Sequence, residues 1–286
     1  MTLLTSEAVA RARDYLGGDR DHYTLLNGAI NSSTDEIPLS YAALGIGRGS
    51  LIELRSSTAY ELCYVWATDI SDTMLTVQRG WGGTTAQSWA DGALIALKPQ
   101  VTDHEVFNAI QDEVLSLNSE GLYKKGTFNL TYDTVEDGYD ISGVTDMLSP
   151  YAVEIVHGSR THWAFDFKRD DDLLRLLTIP GSGADSTTLH YRARFSAVAS
   201  KSTDLVSGVG IPDSAVDIVP LGAGIRLIMN REAQRSQITA QTHARGNEDV
   251  SPGDNTRVWQ LLAVQRGNRL SDERQRLRED WPMRIR

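Results

Sequence analysis

Arg169-Asp170-Asp171-Asp172 is a run in this 286-residue chain whose side chains invite a calcium site. Calcium needs six or more oxygen ligands at staged spacing, with a glycine at the bend and a closing glutamate, and these do not follow. A solvated turn between two strands accounts for the run. Asp133, Glu136, Asp137 and Asp140 imitate the carboxylate pair of a glycosidase, yet nothing in their spacing sets two of them across a sugar. The six histidines (22, 104, 157, 162, 190 and 243) are scattered, with no HExxH or other paired spacing. Gly208-Val209-Gly210 and Gly222-Ala223-Gly224 lack the strand-to-helix context of a phosphate-binding loop. Cys63 is the sole cysteine, which excludes an internal disulfide and a thiolate zinc site. These patterns predict no catalytic centre, no cofactor and no metal: a protein that is not an enzyme.

The chemistry that does stand out is recognition. Near the C-terminus Arg266, Arg269, Arg274, Arg276, Arg278, Arg284 and Arg286 are interleaved with Asp272, Glu273, Glu279 and Asp280. One reading is an exposed helix laced with its own i,i+4 ion pairs. The other is a helix that docks on an acidic neighbour, since arginine pairs bidentately with carboxylates. On that reading Trp259, Arg266, Arg269, Arg274, Arg278, Trp281, Arg284 and Arg286 are the partner-docking residues, with the tryptophans as anchors.

Such a helix needs a scaffold. The spacing predicts a helix from about Ser6 to Leu16, with Thr5 or Ser6 as its cap, and loop-rich chain over 19–48. A β unit follows over 49–99. Thr102 and Glu105 have the spacing of a capping box ahead of Val106, Phe107, Ile110, Val114 and Leu117, so a helix covers 102–118. Short alternating stretches between 122 and 200, among them Trp163, Phe165 and Phe167, predict an antiparallel sandwich or jelly-roll-like unit. Helices return from about Ala215 to Gln241, with Pro220 kinking the helix or resetting its start, and again from Asp254. An amphipathic helix cannot bury its own apolar face, so the separated helices are expected in one bundle. The fold expected is α+β: a helical bundle carrying two antiparallel β insertions, a small β-barrel and a β-sandwich. The segments are 1–48 (bundle helix and loop), 49–100 (barrel), 101–121 (bundle helix), 122–205 (sandwich) and 206–286 (closing helices).

Charge narrows the partners. The formal net charge is −10, with a net of −12 over residues 1–200 and +2 over 201–286. An acidic surface argues against a broad duplex-binding face, which needs clustered lysine and arginine. It suits a wall past which DNA slides. The N-terminal sequence does not read as a secretory signal, and no apolar run approaches the roughly 20 residues of a membrane span, so a cytoplasm-like compartment and no membrane are expected.

Within the first β unit, Met74 to Gln78 reads as a strand, Gly80, Gly82 and Gly83 as a tight turn, and Ala93 to Leu97 as the returning strand. Thr84 and Thr85 can bond their own loop backbone, Asp91-Gly92 is a turn dipeptide, and Trp81 and Trp89 can pin the connection down. The stretch resembles a loop of tailed-bacteriophage virion proteins, LTV-x-RG-x-x-GTTA-x-x-H-x-x-GA-x-V. Leu75, Thr76, Val77, Arg79, Gly80, Gly83, Thr84, Thr85, Ala86, Gly92 and Ala93 match it, and Trp89 stands where the pattern has histidine. The segment Ile218 to Ile228 followed by Arg231-Glu232-Ala233 resembles the buried helix of phage head-to-tail adaptors, as does the Arg-rich last helix closing near Trp281-Pro282. That resemblance implies a structural neck protein of the virion, assembled in the host cytoplasm as a homomeric, twelve-fold ring. Its partners would be the portal and the tail stopper or tail-tube proteins, with DNA passing through unread. The alternative is a tail-tip or fibre-associated protein whose second β unit binds a receptor or glycan on an aromatic platform, with Trp163 and Tyr151 as candidates.

Overall fold

The structure, a computed structural model, describes residues 2–17, 21–43, 45–133, 138–177, 186–241 and 254–279. The chain begins with α1 (Thr5–Asp14) and continues through β1 (His22–Leu25), β2 (Glu36–Pro38), β3 (Leu51–Arg55), β4 (Tyr60–Thr68), β5 (Met74–Gln78) and β6 (Leu94–Leu97) to α2 (Asp103–Ser119). The second β region comprises β7 (Lys124–Asn129), β8 (Tyr132–Asp133), β9 (Gly138–Asp140), β10 (Met147–His157), β11 (Arg160–Ala164), β12 (Phe167–Asp170), β13 (Leu173–Leu176) and β14 (Ser186–Ala193). Two helices close the chain, α3 (Ile218–Gln241) and α4 (Asp254–Glu279).

The expectation of a helical bundle with two β insertions is overturned. Four helices stand among three antiparallel sheets, and the molecule is strand-rich. The first sheet has six strands in the order β1-β6-β3-β4-β5-β2 and curls into a half-barrel. Its two edges approach each other: Asn27 N donates to Pro38 O at 2.9 Å and Ser40 N to Leu25 O at 2.8 Å. Ile37, Ile52, Leu54, Cys63, Val65, Leu75 and Ile95 fill its interior. Residues 22–38, expected to be loop, thus supply two of its strands. The other two sheets, β11-β10-β14-β7 and β12-β13-β9-β8, share a core of Ile141, Val153, Ile155, Leu174 and Leu189, which makes them a sandwich. Trp163 and Phe167, expected on one strand, fall on β11 and β12.

The helices share a core with the irregular segment 195–216. Ala8 and Val9 of α1, Ile110 and Val114 of α2 and Val219 and Leu227 of α3 pack with Phe195, Leu205 and Ile211. The helices do pack on one another, but that segment, which shows no period in the sequence, fills the core between them. Local signals hold at α2, where Thr102 Oγ1 accepts from Glu105 N at 3.0 Å and Glu105 accepts from Thr102 N at 2.9 Å. At α1 they do not. Thr5 lies inside the helix, and its hydroxyl donates to Thr203 O at 2.8 Å. The first amides of α1 are satisfied tertiarily, with Ser6 N donating to Lys201 O at 2.9 Å. Pro220 lies in the first turn of α3, where its missing N–H costs nothing.

Candidate functional site

Strand β4 alternates, so Glu61 faces the half-barrel interior with Cys63 and Val65, and its side chain is 0% exposed. Arg79, just beyond β5, reaches in to it. Arg79 Nε and Nη2 donate to the two Glu61 oxygens at 2.6 and 2.7 Å. Nη1 donates to Asn31 O and Thr34 O at 3.1 and 2.9 Å, and Nη2 also to Gln87 O at 2.6 Å. Every N–H of the guanidinium is therefore engaged. Glu61 in turn accepts from Gly80 N and Gln87 N, both at 3.1 Å, and from Trp89 Nε1 at 2.8 Å. Burial alone would raise the Glu61 carboxyl, but the hydrogen bonds from Arg79, Trp89 and Gln87 outweigh it and hold it below its ordinary value. Burial and the neighbouring Glu61 carboxylate push the Cys63 thiol up, away from the reactive thiolate.

The loop residues singled out in the sequence are placed around this pair. Gly80 has φ 63°, and a Cβ there would lie 3.0 Å from Thr84 O. Thr84 Oγ1 accepts from Leu62 N at 3.1 Å and donates to Trp81 O at 2.9 Å. Gly83 and Gly92 also have positive φ, Gly92 N donates to Leu26 O at 2.9 Å, and Thr85 is exposed. Trp89 pins the loop from inside. Trp81 packs on the outer face, where its ring lies 4.8 Å from that of Tyr64 on β4, which is 5.0 Å from Trp66, and Arg48 stands 5.3 Å over Trp66. This exposed aromatic row had no signal in the sequence beyond the i,i+2 spacing of Tyr64 and Trp66.

The arginines of α4 turn inward. Arg266 Nε donates to Glu113 Oε1 at 2.7 Å and its Nη2 to Glu120 Oε1 at 2.8 Å. Glu113, on α2, has a side chain only 1% exposed and also accepts from Arg226 Nε at 3.1 Å. Arg269 forks onto both Asp217 oxygens at 2.9 and 3.0 Å, and Arg274 Nε donates to Glu120 O at 2.5 Å. The acidic partners of these arginines are thus Glu113 on α2, Glu120 just past its end and Asp217 just ahead of α3. Trp259 is half-buried near Leu221, Ile228 and Leu262, with its Nε1 buried and unbonded among the described residues. Arg278 is exposed, and Arg276 pairs with Glu273 at 2.9 Å within the helix. Trp281, Arg284 and Arg286 lie outside the described residues.

A second buried charge cluster joins β3 to the start of α2. Glu53 on β3, 0% exposed, accepts from Asp103 N at 3.0 Å and from His104 N at 3.3 Å, so it caps α2 from the half-barrel. Asp103 receives Lys201 Nζ at 2.6 Å and Arg13 Nη2 at 2.7 Å, while Arg55 Nε meets Glu53 at 2.5 Å. The available signal was Glu53 and Arg55 at alternate positions of the apolar strand Leu51–Arg55.

In the sandwich, the Trp163 ring lies 5.0 Å from His190, which meets Glu154 at 2.9 Å, and Trp163 is 38% exposed. Tyr151 packs against Phe165 and under Arg192. Asp171 has φ 48° at the β12–β13 turn, and Lys168 pairs with Asp170 at 3.0 Å, as befits a hairpin tip. Asp140 accepts from Ser142 N at 2.8 Å, while Glu136 and Asp137 lie outside the described residues. Among the described residues no group of three or more His, Cys, Asp or Glu is arranged to hold a metal ion, and no helix is long and apolar enough to cross a membrane. No protein-family model matches the chain, and no curated protein matches it either.

Proposed function

We propose that the chain is a non-enzymatic structural subunit of a tailed-bacteriophage virion, a head-to-tail connector that forms a homomeric ring in the neck, binds the portal and continues the DNA channel toward the tail. The observation that carries this reading is the Glu61–Arg79 staple. Arg79, Gly80 and Thr84, which give the loop its likeness to virion proteins, are also the residues that hold it shut around a buried carboxylate. The staple makes the loop a rigid part, which suits a subunit that assembles with its copies. The inward clamp on α4 supports the same reading, since it fixes the Arg-rich helix on a folded subunit. A formally acidic chain gives passing DNA little to hold.

Light scattering and negative-stain microscopy of the purified chain, alone and mixed with portal-bearing heads, test it. Rings on the heads are the expected result. A chain that neither oligomerises nor binds heads would remove the connector reading.

One observation favours the second reading, a tail-tip or fibre-associated component. Exposed Trp163 beside the His190–Glu154 pair is the kind of aromatic-plus-polar surface that holds a glycan. Adsorption of the isolated protein to host cells, lost on Trp163→Ala, would select it over the connector.

A further inference from the structure

The outer face of the sandwich carries a cation that the fold leaves unanswered. Residues alternate along β14, so Leu189, Tyr191 and Ala193 fill the sandwich core while His190 and Arg192 face outward. The Arg192 guanidinium stands 5.0 Å from the centre of the Tyr123 ring and 5.7 Å from that of Tyr151. Its Nε is buried without a hydrogen-bond partner, and among the described residues none of its nitrogens meets a carboxylate. Buried N–H groups are nearly always bonded, so this one is a cost the chain alone does not offset. Directly across the strand pair, in register with Arg192, stands Lys125 on β7, exposed and of the same charge. Like charges placed opposite each other weaken a sheet. An anion between them would relieve that repulsion and give the guanidinium a partner.

The carboxylates around this spot are held by other groups. Glu154 on β10 meets His190 Nε2 at 2.9 Å, and Asp146 meets Lys124 at 2.9 Å. The end of α4 reaches the spot where Tyr123 donates to Leu277 O at 3.4 Å, and there Glu279 accepts from Gln275 within the helix. The same face continues to an aromatic platform. His190 is two residues along β14 from Arg192, roughly 7 Å at the rise of a strand, and the Trp163 ring lies 5.0 Å from the His190 ring. Thr188 and Asn129, whose side-chain oxygens are 3.3 Å apart, add a hydroxyl and an amide suited to sugar hydroxyls.

We propose that this face binds an acidic glycan, with a sugar carboxylate against the terminal nitrogens of Arg192 and the Lys125 ammonium, and another ring of the same oligosaccharide stacked on Trp163. An exposed ring beside hydroxyl and amide groups suits a sugar better than an acidic peptide. The inference goes beyond the connector reading, rests on the glycan reading of this face, and adds the charge of the ligand.

Retention of the full chain on immobilised oligosaccharides carrying galacturonate, glucuronate or sialic acid, beside neutral oligosaccharides and poly-glutamate, tests it. At least one acidic sugar should hold the chain, and more tightly than every neutral one. Arg192→Gln should weaken that binding about tenfold, the share of one charge-assisted contact. Lys125→Gln, at an exposed position outside the Tyr123–Tyr151 packing, should weaken it in the same direction, as should Trp163→Ala. Arg48→Gln, on the half-barrel, should bind like the wild type. Binding left unchanged by both Arg192→Gln and Lys125→Gln, or tighter retention on poly-glutamate than on any sugar, overturns the inference. Equal retention on acidic and neutral sugars overturns it while the glycan reading stands, and retention on no sugar removes both, so the two failures are distinguishable.

Discussion

Replacing Arg79 by methionine keeps most of its length and removes its charge and all of its donors. Glu61 would then remain at 0% exposure with the amides of Gly80 and Gln87, the Trp89 indole and the weak Cys63 thiol donor, all of them neutral, to answer it. Breaking a buried ion pair from one side costs about 3–5 kcal/mol, because an uncompensated charge is left in the interior. The pH dependence separates that cause from a packing defect. In the wild type the Glu61 carboxyl titrates below its ordinary value, so its contribution is complete above the unfolded value of about 4.3 and is lost as pH falls through the depressed one. Without Arg79, burial dominates and the folded value rises above the unfolded one. The variant then gains stability relative to the wild type as pH falls from 7 toward 5, because the wild-type Glu61 contribution is constant there. Urea unfolding at both pH values, with hydrogen exchange read over residues 79–93, should show a large deficit at pH 7 that narrows at pH 5. A deficit below 1 kcal/mol, or one equal at both pH values, would refute the staple as described.

Thr102→Ala removes the side chain that accepts from Glu105 N and should cost about 1 kcal/mol, visible as faster exchange in the first turn of α2. Gly222→Ala places a Cβ 2.0 Å from the carboxyl carbon of Glu113, which Arg226 and Arg266 hold in place, so α3 or α2 must shift. Thermal unfolding should report a loss of about 1–3 kcal/mol. Arg266→Ala leaves Glu113 with Arg226 as its one cation among the described residues, beside the Ser116 hydroxyl, and should destabilise by about 3 kcal/mol, with α4 losing exchange protection ahead of the half-barrel.

How far the sequence could be read depended on the range of the forces involved. Helix α2 was legible because its cap and its apolar face are both local. Strands β1 and β2 were not, since four and three residues, one of them Pro38, carry little propensity and exist by pairing with β6 and β5. The arginine pattern of α4 was visible, but Glu113 and Glu120 lie 153 and 146 residues away from Arg266, and no spacing rule connects them. Likewise the motif marked Arg79 without its partner. Glu61 is an acidic residue at an inward position of an apolar strand, and that alternation was the one clue to the staple. The segment 195–216 has no period at all, so its share of the helical core could be seen only in three dimensions.

Counting the copies of this chain per particle, by quantitative mass spectrometry of purified virions against the portal protein, tests the connector most directly. A single closed ring with the twelve-fold symmetry that the adaptor resemblance implies would give about twelve copies, in fixed proportion to the portal. One to three copies per particle, or none, would contradict it.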